Sequence, residues 1–180
     1  MDFTLLVALL LGIRVAISDL YARRVPNLWL GSALGMSAAW MLLVWLRGQA
    51  EFPLAALLGL VAGLVVLMPF YLVRWMGAGD VKYFATIGFL LGWQALLPVW
   101  IVASLLAGGH AVAVLFAGGM LNRVPALQMA SRRLCIHFEN RTWWHRLQSA
   151  RAGRRGIPYA AYLAVGTFVW IFQTVARSAS

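Results

Sequence analysis

Two aspartates stand where a carboxylate is expensive. Of the chain's five acidic residues, Asp2 is at the terminus, Glu51 falls in a short polar break and Glu139 lies in a strongly basic segment. Asp19 and Asp80 instead border long apolar runs, in Ile17-Ser18-Asp19-Leu20 and in Gly77-Ala78-Gly79-Asp80-Val81-Lys82. Ionisable groups held at membrane depth cost free energy and by default mark a functional site. Two carboxyls brought together in a low dielectric cannot both ionise easily, so such a pair shares one proton. A shared proton suits peptide hydrolysis. The ionised member takes a proton from an attacking water while the neutral one protonates or polarises the scissile carbonyl. Ion coupling and plain helix capping use the same residue type, and at this level all three readings stand.

The elements that must position these aspartates are membrane spans. The chain has 180 residues, 63% hydrophobic and 11% charged, with a net charge of +10. A soluble domain would carry about 25% charged residues, and a disordered chain would be poor in apolar and aromatic ones. Nine Trp, nine Phe and five Tyr suit two membrane–water interfaces. Apolar runs cover Phe3–Ser18, Leu28–Leu46, Leu54–Val73 and Ile157–Ala176. The first, preceded only by Asp2, reads as a span rather than a cleaved signal peptide. The uncharged stretch from Tyr83 to Leu121 would be roughly 58 Å long as one helix, nearly twice the bilayer core. It should fold back near Gly92-Trp93-Gln94 or Pro98. The expectation is an all-α membrane protein, one domain over residues 1–180, built as a bundle of six transmembrane helices.

Charge asymmetry orients the bundle. Arg23 and Arg24 follow the first span, Arg74 follows the third with Lys82 just beyond, and Asn122–Gly156 carries eight arginines against Glu139. The other connections offer only Arg47 against Glu51. Both termini are therefore expected outside, in the periplasm, with the aspartates at the cytoplasmic face and a long basic cytoplasmic loop between helices 5 and 6. That loop, residues 122–156, includes Phe138, Trp143 and Trp144 and reads as an interfacial segment meeting anionic lipid headgroups. Positive-inside topology accounts for its charge without nucleic acid.

The neighbours of the aspartates have plain readings too. Gly77 and Gly79 allow close backbone approach and positive φ before a carboxylate at a helix start, where Asp80 would also cap. No Walker or dinucleotide pattern surrounds them. Pro26 and Asn27 end a loop and cap the next span. Lys82 serves the interface, or else favours the ionised form of Asp80. Arg14 lies about 7.5 Å along the axis from Asp19 and roughly 140° around it, so snorkelling or pairing elsewhere is expected before any influence on the aspartates. His110 reads as a packing histidine rather than a proton relay. His137 and His145 lack ligands at metal spacing and Cys135 is the single cysteine, so neither a metal site nor a cofactor is expected. Gly59 with Gly63 and Gly31 with Gly35 read as close helix packing, and Gly108-Gly109 and Gly118-Gly119 as flexible points in the fifth span.

Three segments together carry a resemblance. Gly77-Ala78-Gly79-Asp80-Val81-Lys82 resembles the GxGD motif of type IV prepilin peptidases, which are intramembrane aspartyl proteases. Ser18-Asp19-Leu20-Tyr21-Ala22-Arg23-Arg24-Val25-Pro26-Asn27 resembles that family's first-aspartate motif, and Ile157-Pro158-Tyr159-Ala160 the segment that opens its last span. The resemblance implies a catalytic pair, Asp19 and Asp80, supported by Gly77, Gly79, Lys82, Pro26 and Asn27. It implies removal of a basic leader from a prepilin or pseudopilin with an apolar N-terminal helix, at the cytoplasmic face of a bacterial inner membrane.

Two departures narrow this. Long bifunctional relatives carry paired CxxC motifs and methylate the new N-terminus; with Cys135 alone and a first loop of about seven residues, methylation is not expected. The chain looks like the short form of tight-adherence (Flp-type) pilus systems. Ala161 stands where many relatives have a second proline. The competing functions are a small ion- or proton-coupled transporter and a non-catalytic assembly subunit of a pilus or secretion apparatus.

Overall fold

A computed structural model describes residues 3–49, 51–123 and 158–179. Among these residues the regular structure is helical throughout: α1 (Phe3–Ala22), α2 (Asn27–Leu46), α3 (Leu54–Leu72), α4 (Ala78–Leu91), a 3₁₀ turn (Trp93–Ala95), α5 (Leu96–Arg123) and α6 (Tyr159–Ala179). Five of these helices are long and apolar enough to cross a membrane. The exception is α4, whose 14 residues reach only about 21 Å.

The expected fourth span is thus a short one, and its surroundings explain why. α4 packs against α1, α2, α3, α5 and α6, and Val81 and every residue from Tyr83 to Leu90 are buried. A helix walled by protein need not match the lipid thickness that a lipid-facing helix must span. The others turn large apolar side chains outward, among them Leu10, Leu28, Val65, Leu105 and Phe172, as a bilayer solvent requires. Thr86 and Thr167 spend their buried hydroxyls on the carbonyls of Lys82 and Leu163, one turn back.

The chain folds back where expected. Gly92 adopts φ +82, a left-handed conformation that a side chain resists, and the 3₁₀ turn delivers the chain into α5 with Pro98 in its first turn. α1 runs past Ser18 to Ala22, placing Asp19 inside its last turn. Arg23 (φ 51) then stops α1 and Arg74 (φ 60) stops α3, each in the left-handed region.

The paired glycines divide. A methyl group on Gly63 would come within 2.7 Å of the Ala85 Cα, and one on Gly59 would overlap the Gly88 carbonyl. These two glycines therefore let α3 press backbone-to-backbone on α4, as expected. Gly31 and Gly35 have nothing within 4 Å of an added methyl, so the reading of that pair as a packing seam fails here; α2 turns them away from the bundle. Gly108 and Gly109 likewise face open space. The basic segment, with Cys135, His137, His145 and Gly118-Gly119, falls outside the described residues or their described side chains.

Replacing Gly63 by leucine forces α3 off α4 and should lower stability by roughly 1–3 kcal/mol, the usual cost of overpacking. Gly31→Leu should leave it within about 0.5 kcal/mol. Thermal unfolding of the detergent-solubilised variants measures both.

Candidate active site

Asp19 is only 6% exposed although it lies one turn from the end of α1. Asp80 occupies the first turn of α4 and is half-buried. What they meet is the start of α6. The Ala161 amide donates to Asp19 Oδ2 at 3.0 Å, a buried bond between residues 142 apart in the chain. The Ala160 amide interacts with both carboxylates, and these lie close enough to feel each other's charge. The first amides of a helix have no partner within it and sit at the positive end of its dipole. The helix start is thus a ready anion site, here filled by two side chains. Arg23, next to the end of α1, adds an attractive charge toward Asp19.

Local sequence shapes each partner. Gly77 precedes α4 in an extended conformation, φ −74 and ψ 147, so it is not there for positive φ. Its N–H donates to Asp80 Oδ2 at 3.2 Å, and a methyl added to it would lie 3.3 Å from the same oxygen. Asp80 therefore does cap α4, as the plain reading held, while keeping its carboxylate on the cavity wall. Gly79 admits Val25: a methyl there would come 3.1 Å from the Val25 Cβ. The glycine run of one motif thus seats the loop of the other.

Lys82 and Asn27 also meet. The Lys82 ammonium donates to Asn27 Oδ1 at 3.3 Å, pinning α4 to the start of α2. Asn27 makes no cap. Pro26 occupies that position, extended and with no side-chain acceptor to make a capping bond, while the amide oxygen of Asn27 accepts from Lys82.

Both aspartates line one cavity of about 810 Å³, within the range of small-molecule and peptide pockets. Its walls are largely apolar, from Phe70, Trp75, Trp100 and Tyr159, with Arg23 and Arg74 also lining it. The Tyr159 and Ser104 hydroxyls share a hydrogen bond of 3.0 Å, which ties α6 to α5 beside the site. Neither Arg14 nor His110 lines it. His110 is exposed and lies 6.0 Å from Tyr162 between ring centres. The Arg14 guanidinium lies 5.5 Å from the Trp29 ring.

The residues that sequence reasoning missed act through their backbone. Ala160 and Ala161 contribute amides, and an amide has no side-chain signature; the one hint is Pro158 just before a helix start. Ala161 stands where the resemblance leads one to expect a second proline, and the N–H that a proline would lack is the one bonded to Asp19. Chemically, two carboxylates on one cavity, near enough to feel each other's charge and held by backbone amides, can hold a water and move a proton between its oxygen and a substrate carbonyl.

A family model described as "Type IV leader peptidase family" matches residues 5–112, which include both aspartates and end before α6. No curated protein and no solved structure matches the chain.

Gly79→Val would crowd Val25 and displace the segment between α1 and α2. A shift of about 1 Å at a reacting group costs roughly 100-fold in rate. The variant should therefore lose about that much cleavage of a leader-bearing substrate while retaining its helical circular dichroism.

Proposed function

Since the chain belongs to the type IV leader peptidase family, we propose that it is an intramembrane aspartyl endopeptidase with Asp19 and Asp80 as its catalytic pair. Its substrate class is the prepilin or pseudopilin of an Flp-type system, bearing a basic leader and an apolar helix. The observation that carries this reading is the convergence of the two carboxylates on one cavity and on the amides of one helix start. The ionised carboxylate accepts a proton from water as that water attacks the scissile carbonyl, and the protonated one donates its proton to the carbonyl oxygen; on collapse the first gives the water's proton to the leaving amine and the second takes one back from the gem-diol. The apolar walls receive the first turn of the substrate helix. The leader then lies at the end of the bundle where Arg23 and Arg74 stand, which the positive-inside rule assigns to the cytoplasm of a bacterial inner membrane.

Co-expression with each candidate prepilin of the same genome tests the chemistry. The wild type should remove the leader, and Asp19→Asn or Asp80→Asn should each lower processing by roughly 10²–10⁴-fold or more. The mature pilin should have the mass of an unmethylated N-terminus. Processing by either variant at the wild-type rate would remove the dyad and return the ion-coupling and assembly readings to the front.

Topology has its own test in a Cys135→Ser background. An impermeant maleimide should label Gln49→Cys on intact spheroplasts, and Arg24→Cys only after lysis. The reverse pattern would place the site on the outer face.

A further inference from the structure

A second concave surface lies between α1 and α2, apart from the aspartate cavity and sharing no lining residue with it. It encloses about 300 Å³. One end is polar, with Arg14, Trp29 and Ser32, and the rest is apolar, with Val7, Leu10 and Met36 among its walls.

Arg14 is the unusual member. It is exposed on α1, eight residues and about 12 Å from the helix end at Ala22. Its guanidinium nevertheless reaches the Trp29 ring, 5.5 Å away, in the first turn of α2. The side chain thus climbs from mid-helix to the membrane boundary at the aspartate end, as snorkelling arginines do. No carboxylate among the described residues pairs with it: Asp19, on the same helix, is buried against the α6 amides. A membrane-embedded guanidinium calls for an anion, and among the described residues its partner is an aromatic face, which satisfies it in part.

Below that cation α1 is apolar for the seven residues from Val7 to Ile13, about 10 Å along its axis. A charged head over a narrow apolar channel is complementary to an amphiphile. A free phosphate would use only the head, and a soluble anion would not reach a channel opening into lipid.

We propose that the α1–α2 groove binds an anionic phospholipid of the leaflet on the aspartate side, its phosphate against Arg14 beside Trp29 and one acyl chain along Val7, Leu10 and Met36. The lipid occupies the flank of α1, the helix that carries Asp19. It is separate from any headgroup contact of the basic segment.

The test uses the full-length protein with the photo-crosslinking residue p-benzoylphenylalanine in place of Met36. It is reconstituted in phosphatidylcholine vesicles with a minor share of phosphatidylglycerol, and adducts are identified by intact mass. Phosphatidylglycerol should be captured about tenfold above its share of the bilayer, the worth of one charge-assisted contact in an equilibrium. Arg14→Gln should return capture to the bilayer share, and Arg14→Lys should keep most of the enrichment. The Lys variant guards against a loss caused by misfolding. Enrichment that survives in Arg14→Gln, or an absence of enrichment in wild type, would overturn the proposal. So would suppression by excess inorganic phosphate, which would assign the site to the free ion.

Discussion

Two carboxylates converge on the first amides of one helix, and the bundle is arranged around that junction. Asp19 and Asp80 belong to different helices, and charge alone would drive them apart. The start of α6 offsets that repulsion, with Ala161 bonded to Asp19 and Ala160 interacting with both. Removing those donors would leave a buried carboxylate uncompensated in a low dielectric, which is among the more destabilising situations a fold can contain. The helix dipole adds to the donors because its positive end points at the carboxylate pair.

The rest of the bundle can be understood as holding that junction. α6 must reach α1, and it packs on both α1 and α5, with Gly166 letting it approach the Val99 backbone. α4 must present Asp80 at the right depth, which its glycine contacts with α3 and its bond from Lys82 to Asn27 set from two sides. Because α4 is enclosed, it can be short, and shortness leaves room past its start for the cavity. The left-handed Arg23 and Arg74 stop α1 and α3 beside that cavity, so strain of order 1 kcal/mol per residue lies next to the site.

Two concave surfaces each hold charged groups at membrane depth. One takes the intramembrane carboxylates and answers them with backbone amides and Arg23; the other takes the intramembrane arginine and answers it with the Trp29 ring. In a medium without water each buried charge must find a partner or a route to the interface. Asp19 takes the first solution and Arg14 the second, although they share one helix, because they point to different sides of it.

What any lipid-soluble chain must declare is legible in its residue types alone. Runs near 20 apolar residues declare helices, because a bilayer satisfies no backbone group. A break at Gly92 declares a turn, because an uninterrupted helix would be too long. The scarcity of acids made Asp19 and Asp80 conspicuous. Tertiary structure decided everything that depends on which face meets which. Gly59-Gly63 and Gly31-Gly35 have the same spacing, yet only the first pair touches another backbone. Asn27 looked like a cap and became a partner for Lys82. The fourth span was legible, but its shortness was tolerable only once five helices enclosed it. Above all, the meeting of the aspartates runs through the amides of Ala160 and Ala161. Every residue but proline carries that group, so no pattern of residue types could have marked these two.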